Sequence, residues 1–258
     1  MRFFDTHAHI GLITEDPIEQ LIIVREAKQE NVEGIVSICN NLRDFFVVYE
    51  NLRSASYIYH SIGVSPSEVG NPGHDWELKI EEGSHFDRVV SIGEIGLDYY
   101  HKFGNRDSQI ELFIRQLEIA QRLDFPVIIH NRDAGNDVLD ILKEELPQKG
   151  GILHCYSEDY EYAKRALNLN LYISFAGNVT YRNAKNLHET AKKMPLERML
   201  IETESPFMVP SVYRGKRNRP SYIIETAKFI AELREKPVDE ITEILMANSL
   251  KFFGLSNI

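Results

Sequence analysis

Phe3-Phe4-Asp5-Thr6-His7-Ala8-His9-Ile10 is the segment that decides the fold of this chain, because it starts a series of strands and candidate metal ligands that the later segments continue. Its aromatic and apolar residues, spaced around a few polar ones, predict a β-strand. Alternate side chains of a strand point the same way, so His7 and His9 project to one side. Two imidazoles in that arrangement can hold a metal ion. A His-x-His pattern alone is a weak indicator, since core or surface histidines give it as well.

Short apolar segments alternate with longer amphipathic ones along nearly the whole chain. The predicted strands are residues 3–10, 34–39, 57–64, 88–97, 126–130, 151–155, 171–175 and 198–202. The predicted helices are residues 17–31, 41–53, 75–82, 106–123, 134–145, 159–167, 184–193, 222–234 and 238–248. Eight strands, each followed by a helix, are typical of an α/β fold of the (β/α)8 TIM-barrel type. Most of these strands are continuously apolar, as expected when both faces are buried.

A doubly wound open sheet is the alternative fold. Such a sheet would concentrate its functional residues at one switch point. Here the polar residues stand at strand ends on both sides of the midpoint of the chain, which favours the barrel. The sequence shows no internal repeat or linker, and barrels of this kind routinely reach 258 residues. We therefore expect residues 1–258 to form one TIM-barrel domain.

The composition is that of a globular protein, with 43% hydrophobic and 26% charged residues. Its two cysteines, Cys39 and Cys155, lie in separate apolar segments, which indicates buried thiols in a reducing compartment. No signal-like segment opens the sequence, and no later segment is long and apolar enough to span a bilayer. We expect a cytoplasmic protein with no membrane partner and no obligate protein partner.

The net charge of −10 argues against a wide basic surface for long nucleic acid, which requires many phosphate contacts. It remains compatible with a nucleic-acid end held in a pocket, because bound divalent cations reverse the local charge. An acidic protein that binds no nucleic acid would explain the charge equally well.

Several polar residues stand where an apolar strand would not place them. Glu94 lies inside the apolar fourth strand, where an unpaired carboxylate is costly, and neither Lys nor Arg is adjacent. A distant arginine is one possible partner, and a metal ion is the other. The fifth strand ends on His130, the sixth carries His154 near its end, and the eighth ends in carboxylates that include Glu204.

All strands of a parallel barrel end on one rim, where active sites form. The residues expected to converge there are His7, His9, Glu94, His130, His154 and Glu204. Six ligands are too many for one tetrahedral zinc with an open position. They suit two divalent ions that share a bridging carboxylate, for which Glu94 is the natural candidate. The other histidines, which are His60, His74, His85, His101 and His188, are expected to be structural or solvent-facing.

These residues resemble the TatD family of metal-dependent hydrolases and deoxyribonucleases, in the amidohydrolase-like barrel group. The segments that carry the resemblance are residues 5–9, 93–99, 130–134, 154–157, 202–206 and 214–218, together with Asn248. They occur in family order and span essentially the whole chain.

The resemblance implies that His7, His9, Glu94 and the acid of the eighth strand hold one ion. It also implies that Glu94, His130 and His154 hold the second ion, and that the reaction is hydrolysis of phosphodiester bonds in DNA, often from an end. The substrate would then be a DNA end or a short oligonucleotide. The ligand types are compatible with zinc, manganese, magnesium, nickel or iron.

The chain departs from the family pattern in two segments. Glu204 stands where the family usually has Asp, and the extra methylene moves the carboxylate by about 1.5 Å. Ser65 and Ser67 stand where the family tends to have the two histidines of a Gly-x-His-Pro-His segment. Hydroxyl groups at these positions lose or change any contact or proton transfer that the imidazoles would provide.

Our hypothesis is two-metal hydrolysis, in which Glu204 orients the attacking water and takes its proton. Arg132 and the basic loop residues Arg214, Lys216 and Arg217 are the candidates for substrate binding, since arginine can bind phosphate through two hydrogen bonds. A solvated charge cluster is the alternative for that loop. The alternative activities are metal-dependent hydrolysis of small amides or esters, and metal binding with impaired turnover.

Overall fold

The computed structural model describes residues 1–256 and contains a sheet of eight parallel strands that pair in chain order. The strands are β1 (Phe3–Ala8), β2 (Val32–Ser37), β3 (Ile58–Ile62), β4 (Val89–Asp98), β5 (Val127–Arg132), β6 (Gly151–Leu153), β7 (Tyr172–Phe175) and β8 (Met199–Ile201). The segment after β8 returns to β1: the Glu204 N–H donates to the His7 carbonyl at 2.9 Å, and the His9 N–H donates to the Ser205 carbonyl at 2.8 Å. The sheet thereby closes into the predicted TIM barrel.

Helices alternate with these strands around the barrel. They are α1 (Ile10–Ile13), α2 (Pro17–Gln29), α3 (Leu42–Leu52), α4 (Trp76–Ser84), α5 (Arg106–Leu123), α6 (Gly135–Glu145), α7 (Tyr160–Asn168), α8 (Lys185–Lys193), α9 (Ile223–Leu233) and α10 (Val238–Phe253). Four of them begin after side-chain caps, which are Asp16, Asn41, Asn105 and Asp159. Caps of this kind are readable from sequence, and the predicted starts of these helices are correct to within one residue.

One buried residue from each strand fills the interior of the barrel near the end at which the strands begin. These residues are Phe4, Val36, Tyr59, Val90, Ile128, Ile152, Tyr172 and Leu200, and they form one apolar cluster. Two phenylalanines at the end of α10 cover this layer at the same end of the barrel. Phe253 stacks on Phe4 with ring centroids 5.7 Å apart, and Phe252 packs edge-on against Tyr172 at 5.2 Å. The apolar cluster therefore closes the end of the barrel at which the strands begin.

The interior becomes polar toward the ends of the strands. Side chains two positions apart face the same side of a strand, so a residue two positions after this layer, in a strand or just beyond its end, is expected to point into the barrel. On this spacing the positions include Thr6, Ser61, His130, His154, Ser174 and Glu202. All but His130 are buried, and His130 is partly exposed. The polar layer lies at the mouth where TIM-barrel active sites form.

Five predicted strands are too long at this mouth. The second and third strands end at Ser37 and Ile62. The first ends at Ala8 because residues 10–13 form α1, and the sixth and eighth end at Leu153 and Ile201. The backbone leaves the extended conformation directly afterwards, with positive φ angles of 43° at Cys155 and 56° at Glu204. Residues predicted at strand ends therefore lie in the turns that follow.

The last predicted helix is too short, because α10 continues five residues beyond Asn248 to Phe253. The amide of Asn248 donates to the carbonyls of Leu196 and Met199, both at 2.8 Å, so this residue ties α10 to the start of β8 and does not end the helix.

Both cysteines have free thiols: Cys39 is buried and Cys155 is partly exposed. Within residues 1–256, no helix has both the length and the apolar character required to cross a bilayer.

Candidate metal centre

His7 and His9 meet at the mouth of the barrel, as the His-x-His pattern predicts. Their Nε2 atoms are 3.0 Å apart, and both side chains are buried. His7 belongs to β1, whereas His9 lies just beyond its end and begins α1. Both Nδ1 atoms are buried and have no hydrogen-bond partner among the described residues.

Glu94 divides its two carboxylate oxygens between two pairs of histidines. Oε2 lies 3.5 Å from Nε2 of His7 and 3.5 Å from Nε2 of His9. Oε1 lies 2.6 Å from Nδ1 of His130 and 3.2 Å from Nε2 of His154. This is the arrangement expected of a carboxylate that bridges two cations.

The backbone of β4 is built for this placement of Glu94. A register shift between Ile92 and Ile95 interrupts the pairing of β4 with β5. Gly96 follows with a φ of +141°, and a Cβ at that position would lie 2.1 Å from the carbonyl oxygen of His130. Glycine is therefore required where the two strands approach each other, because a side chain would push the Glu94 and His130 strands apart.

Glu204 lies in the turn after β8, where its carboxylate faces three histidines. Oε2 is 3.2 Å from Nε2 of His7, 3.9 Å from Nε2 of His9 and 3.6 Å from Nδ1 of His154. Oε2 is buried and accepts no hydrogen bond within residues 1–256. The glutamate thus reaches the other predicted ligands despite its position in a turn.

The donor atoms suit divalent cations. Three groups of side chains bring their ligand atoms within 4.8 Å of one another: His7, His9 and Glu94; Glu94, His130 and His154; and His7, His154, Glu202 and Glu204. In the described part of the chain, no Lys or Arg forms an ion pair with Glu94, Glu202 or Glu204. All six predicted ligands therefore converge, and their carboxylates lack the arginine partner that was the alternative for Glu94. Their role as metal ligands stays a prediction.

The titration of this cluster follows from the proximity of imidazoles and carboxylates. Burial opposes ionisation of Glu94 and Glu204, but the neighbouring histidines outweigh it. They hold the pKa of Glu94 well below its usual value and lower the pKa of Glu204 to about 2. Burial likewise opposes protonation of His130, yet its hydrogen bonds to Asp98 and Glu94 raise its pKa to about 9. The carboxylates are thus ionised at neutral pH, as metal binding requires, and cations would displace the protons of the histidines.

Two carboxylates that were not among the predicted site residues face the nitrogens of His130 and His154 that point away from Glu94. Oδ2 of Asp98 accepts a hydrogen bond from Nε2 of His130 at 3.1 Å. Oε1 of Glu202 lies 3.4 Å from Nδ1 of His154 and accepts a hydrogen bond from the Cys155 N–H at 2.8 Å. Carboxylates at these positions fix the tautomer and the orientation of metal-binding histidines. The one available signal for Glu202 was its spacing of two from interior Leu200.

A cleft of about 460 Å³ opens above the cluster. The residues that line it are His9, Asn40, Ser65, Pro66, Ser67, Glu94, Asp98, His101, Phe103, His130, Asn131, Arg132, His154, Cys155, Ser157, Glu204, Phe207 and Met208. Ser65 and Ser67 are hydrogen-bonded to each other through their hydroxyls at 3.2 Å. The remaining histidines were expected to be structural or solvent-facing. His101 is solvent-facing, with 53% of its side chain exposed, and it also lines the cleft. His60 is buried, in agreement with a structural role.

The four basic residues proposed for substrate binding occupy different places. Arg132 lines the cleft, with its guanidinium carbon 4.9 Å from the ring centroid of Tyr100 and its buried Nε without a hydrogen-bond partner in residues 1–256. Arg214, Lys216 and Arg217 do not line it. The guanidinium of Arg217 donates to the Leu12 carbonyl at 2.5 Å, and the Lys216 ammonium lies over the ring of Tyr213.

Comparisons with known proteins identify related sequences and structures. The model of the family described as TatD related DNase matches residues 4–254. A Bacillus subtilis protein named "Uncharacterized metal-dependent hydrolase YabD" is 40% identical over 254 residues, which cover 98% of this chain and 99% of the relative. The Escherichia coli K12 protein named "Uncharacterized metal-dependent hydrolase YcfH" is 35% identical over 262 residues, covering 99% and 97%. The crystal structure of YJJV, a TatD homolog from Escherichia coli K12, superimposes with a TM-score of 0.90 at 27% identity and covers 99% of both chains.

Proposed function

This chain belongs to the TatD-related DNase family, and from that premise we propose that it hydrolyses phosphodiester bonds at DNA ends with two divalent ions. The observation that carries the proposal is the division of the Glu94 oxygens between two histidine pairs. One ion would be held by His7, His9, Glu94 and Glu204, and the other by Glu94, His130 and His154. The names of the relatives support the broader class, metal-dependent hydrolase.

Bound ions would supply Lewis acidity that activates water and neutralises charge on the phosphoryl group. The protein contributes a base, since the ionised Glu204 carboxylate at the cleft floor orients the attacking water and accepts its proton. Arg132 binds the non-bridging phosphate oxygens, because it lines the cleft and a guanidinium can donate two hydrogen bonds to a phosphate. Asp98 holds His130 in a fixed orientation through its hydrogen bond, and Glu202 faces Nδ1 of His154 at 3.4 Å.

The substrate is a DNA end or a short oligonucleotide, because the cleft is small and the net charge of the chain is −10. Arg214, Lys216 and Arg217 lie outside the cleft lining and would act only on the parts of a longer substrate that leave it.

The test removes metal from the purified full chain with a chelator and restores Mg²⁺, Mn²⁺ or Zn²⁺ singly. Its substrates are end-labelled single-stranded DNA, a carboxylic ester and a cyclic amide. We expect stepwise shortening of the DNA from one end, restored by metal and abolished in Glu94→Gln, with His74→Gln as the control. Turnover of the ester or amide in preference to DNA would contradict the proposed substrate. Activity that is independent of metal would contradict the mechanism.

A further inference from the structure

His101 is a histidine of the cleft that the proposed metal centre does not use. It lies in the loop between β4 and α5, its side chain is 53% exposed, and it lines the cleft. Nδ1 donates to Oδ2 of Asp98 at 2.8 Å, and the His101 backbone N–H donates to Oδ1 of the same carboxylate at 2.8 Å. The ring makes no other hydrogen bond in the described part of the chain. The buried carboxylate of Asp98 thus fixes Nδ1, and Nε2 remains available to a group that enters the cleft.

Aromatic neighbours hold the imidazole ring in place. Phe103 stacks on it with ring centroids 5.3 Å apart and an interplanar angle of 24°, and Tyr100 meets it edge-on at 4.9 Å. Tyr100 also carries the guanidinium of Arg132 on its face. One aromatic residue therefore places the candidate phosphate-binding group beside the imidazole.

Asp98 connects His101 to the metal centre. The Oδ2 atom that binds His101 also accepts the hydrogen bond from Nε2 of His130. Gln109 of α5 holds the backbone on both sides of this carboxylate. It accepts from the Asp98 N–H at 2.8 Å, and it donates to the carbonyls of Asp98 and Phe103 at 2.9 and 2.7 Å. The position of His101 relative to His130 is thus set by one buried carboxylate oxygen and by a loop whose backbone is hydrogen-bonded to Gln109.

The other groups of the cleft are poor proton donors for a leaving group. Outside the proposed ligands, the ionisable residues of the lining are Asp98, His101, Arg132 and Cys155. Asp98 accepts two imidazole hydrogen bonds, and arginine does not give up its proton in proteins. The hydroxyls of Ser65 and Ser67 occupy the positions where the family tends to carry imidazoles. Of the groups that remain, imidazole is the usual general acid.

Given the proposed phosphodiester hydrolysis, we infer that His101, held by Asp98, donates the proton to the leaving-group oxygen. The oxygen of the attacking water forms the new P–O bond, and one water proton passes to Glu204. The P–O bond to the leaving nucleoside breaks, and its oxygen takes the Nε2 proton of His101. Glu204 then releases its proton to solvent, and His101 takes up a proton from solvent, so that no further reactant is consumed.

The test compares two esters of thymidine 5′-phosphate that differ in the leaving group. The first is a thymidine dinucleotide, whose nucleoside leaving group requires a proton. The second is the p-nitrophenyl ester, whose phenolate departs without one. In His101→Gln, we expect kcat on the dinucleotide to fall by about 100-fold or more and kcat on the p-nitrophenyl ester by less than about threefold. We expect KM and bound metal to stay at wild-type values, and added imidazole to restore part of the dinucleotide activity of His101→Ala.

His74→Gln is the matched control, because His74 also lies near an aspartate but is 94% exposed and outside the cleft. An equal loss on both esters, or no loss on the dinucleotide, would overturn the role of His101 and leave the proposed function intact. A selective loss in Cys155→Ala would assign the donor to that thiol instead and overturn the inference. A wild-type protein that cleaves neither ester would overturn the proposed function, and the inference with it.

Discussion

The carboxylate of Asp5 accepts hydrogen bonds from both the backbone N–H and the hydroxyl of Thr203, at 2.9 and 2.5 Å, although 198 positions separate the two residues. The pair joins β1 to the turn after β8, where the barrel closes. His7 follows Asp5 by two residues, and Glu204 follows Thr203 directly. The contact that closes the fold therefore also sets the distance between two proposed ligands of one ion.

Asp5→Asn tests this coupling above pH 8. Burial raises the pKa of Asp5 to about 8, and above it the ionised carboxylate accepts both bonds, whereas an asparagine amide would present a donor group to one of the Thr203 donors. We expect the free energy of unfolding to fall by about 1–3 kcal/mol. We also expect weaker binding of the ion proposed to bind His7, His9, Glu94 and Glu204. Urea unfolding measures the change in stability, and metal titration measures the ion binding. The control is Asp44→Asn at an exposed helix start, for which the change should stay within about 0.5 kcal/mol. Equal stability of the two variants would refute the structural role of Asp5.

His60 makes the stability of the metal-free protein depend on pH. Burial, assisted by Arg88, lowers its pKa to about 3, from 6.5 for an ordinary histidine. The unfolded chain therefore takes up a proton below about pH 6.5, whereas the folded protein does so only near pH 3, so stability falls as the pH drops through this window. Relative to wild type, His60→Gln should gain about 1.4 kcal/mol per pH unit below 6.5.

Urea unfolding between pH 7 and pH 4.5 with a chelator present measures this difference. His74→Gln, which alters an exposed histidine, is the control variant. A constant difference in the free energy of unfolding between wild type and His60→Gln would show that His60 titrates normally in the folded protein.

We expect glutamate at position 204 to give higher activity in this chain than aspartate, the residue usual in the family. Its Oε2 is 3.2 Å from Nε2 of His7, and an aspartate would withdraw that oxygen by about 1.5 Å. We predict that Glu204→Asp lowers kcat about 10- to 100-fold on single-stranded DNA. Glu204→Gln, which cannot accept the proton, should lose about 10²- to 10⁴-fold. A rise in activity in Glu204→Asp would instead show that the natural site is impaired.

Substitution of Arg132 and of Arg217 should change KM in different ways. Arg132→Ala is expected to raise KM at least about tenfold for a dinucleotide and for a longer oligonucleotide alike, because Arg132 lines the cleft. Arg217→Ala should leave the KM of the dinucleotide unchanged and raise that of the longer substrate, with an effect that weakens as salt is added. If neither value changes in Arg217→Ala, the basic loop has no role in substrate binding.

The barrel was predictable because each strand is an apolar segment of strand length followed by an amphipathic one. The six candidate ligands were predictable for a related reason, since His130, Glu94 and the others interrupt or end apolar strands where a polar residue needs a partner. Asp98 and Glu202 stand at strand ends among other polar residues, so local pattern does not distinguish them. Their roles depend on which nitrogen of a distant histidine they face.

Two further features depend on contacts between distant segments. The position of the Glu204 carboxylate follows from a left-handed turn that is pinned by Asp5 and Thr203. The course of the basic loop is fixed in part by the bond from Arg217 to the Leu12 carbonyl, 205 positions away. Neither contact produces a periodic pattern of residues from which it could be predicted.

Anomalous diffraction from crystals of the full chain grown with Mn²⁺ or Zn²⁺ is the most direct measurement of the bridging role of Glu94. We predict two peaks about 3.5–4 Å apart on either side of the Glu94 carboxylate. One should lie beside His7, His9 and Glu204, and the other beside His130 and His154. Both peaks should disappear in Glu94→Gln. A single peak, or two peaks that do not share Glu94, would contradict the two-ion centre.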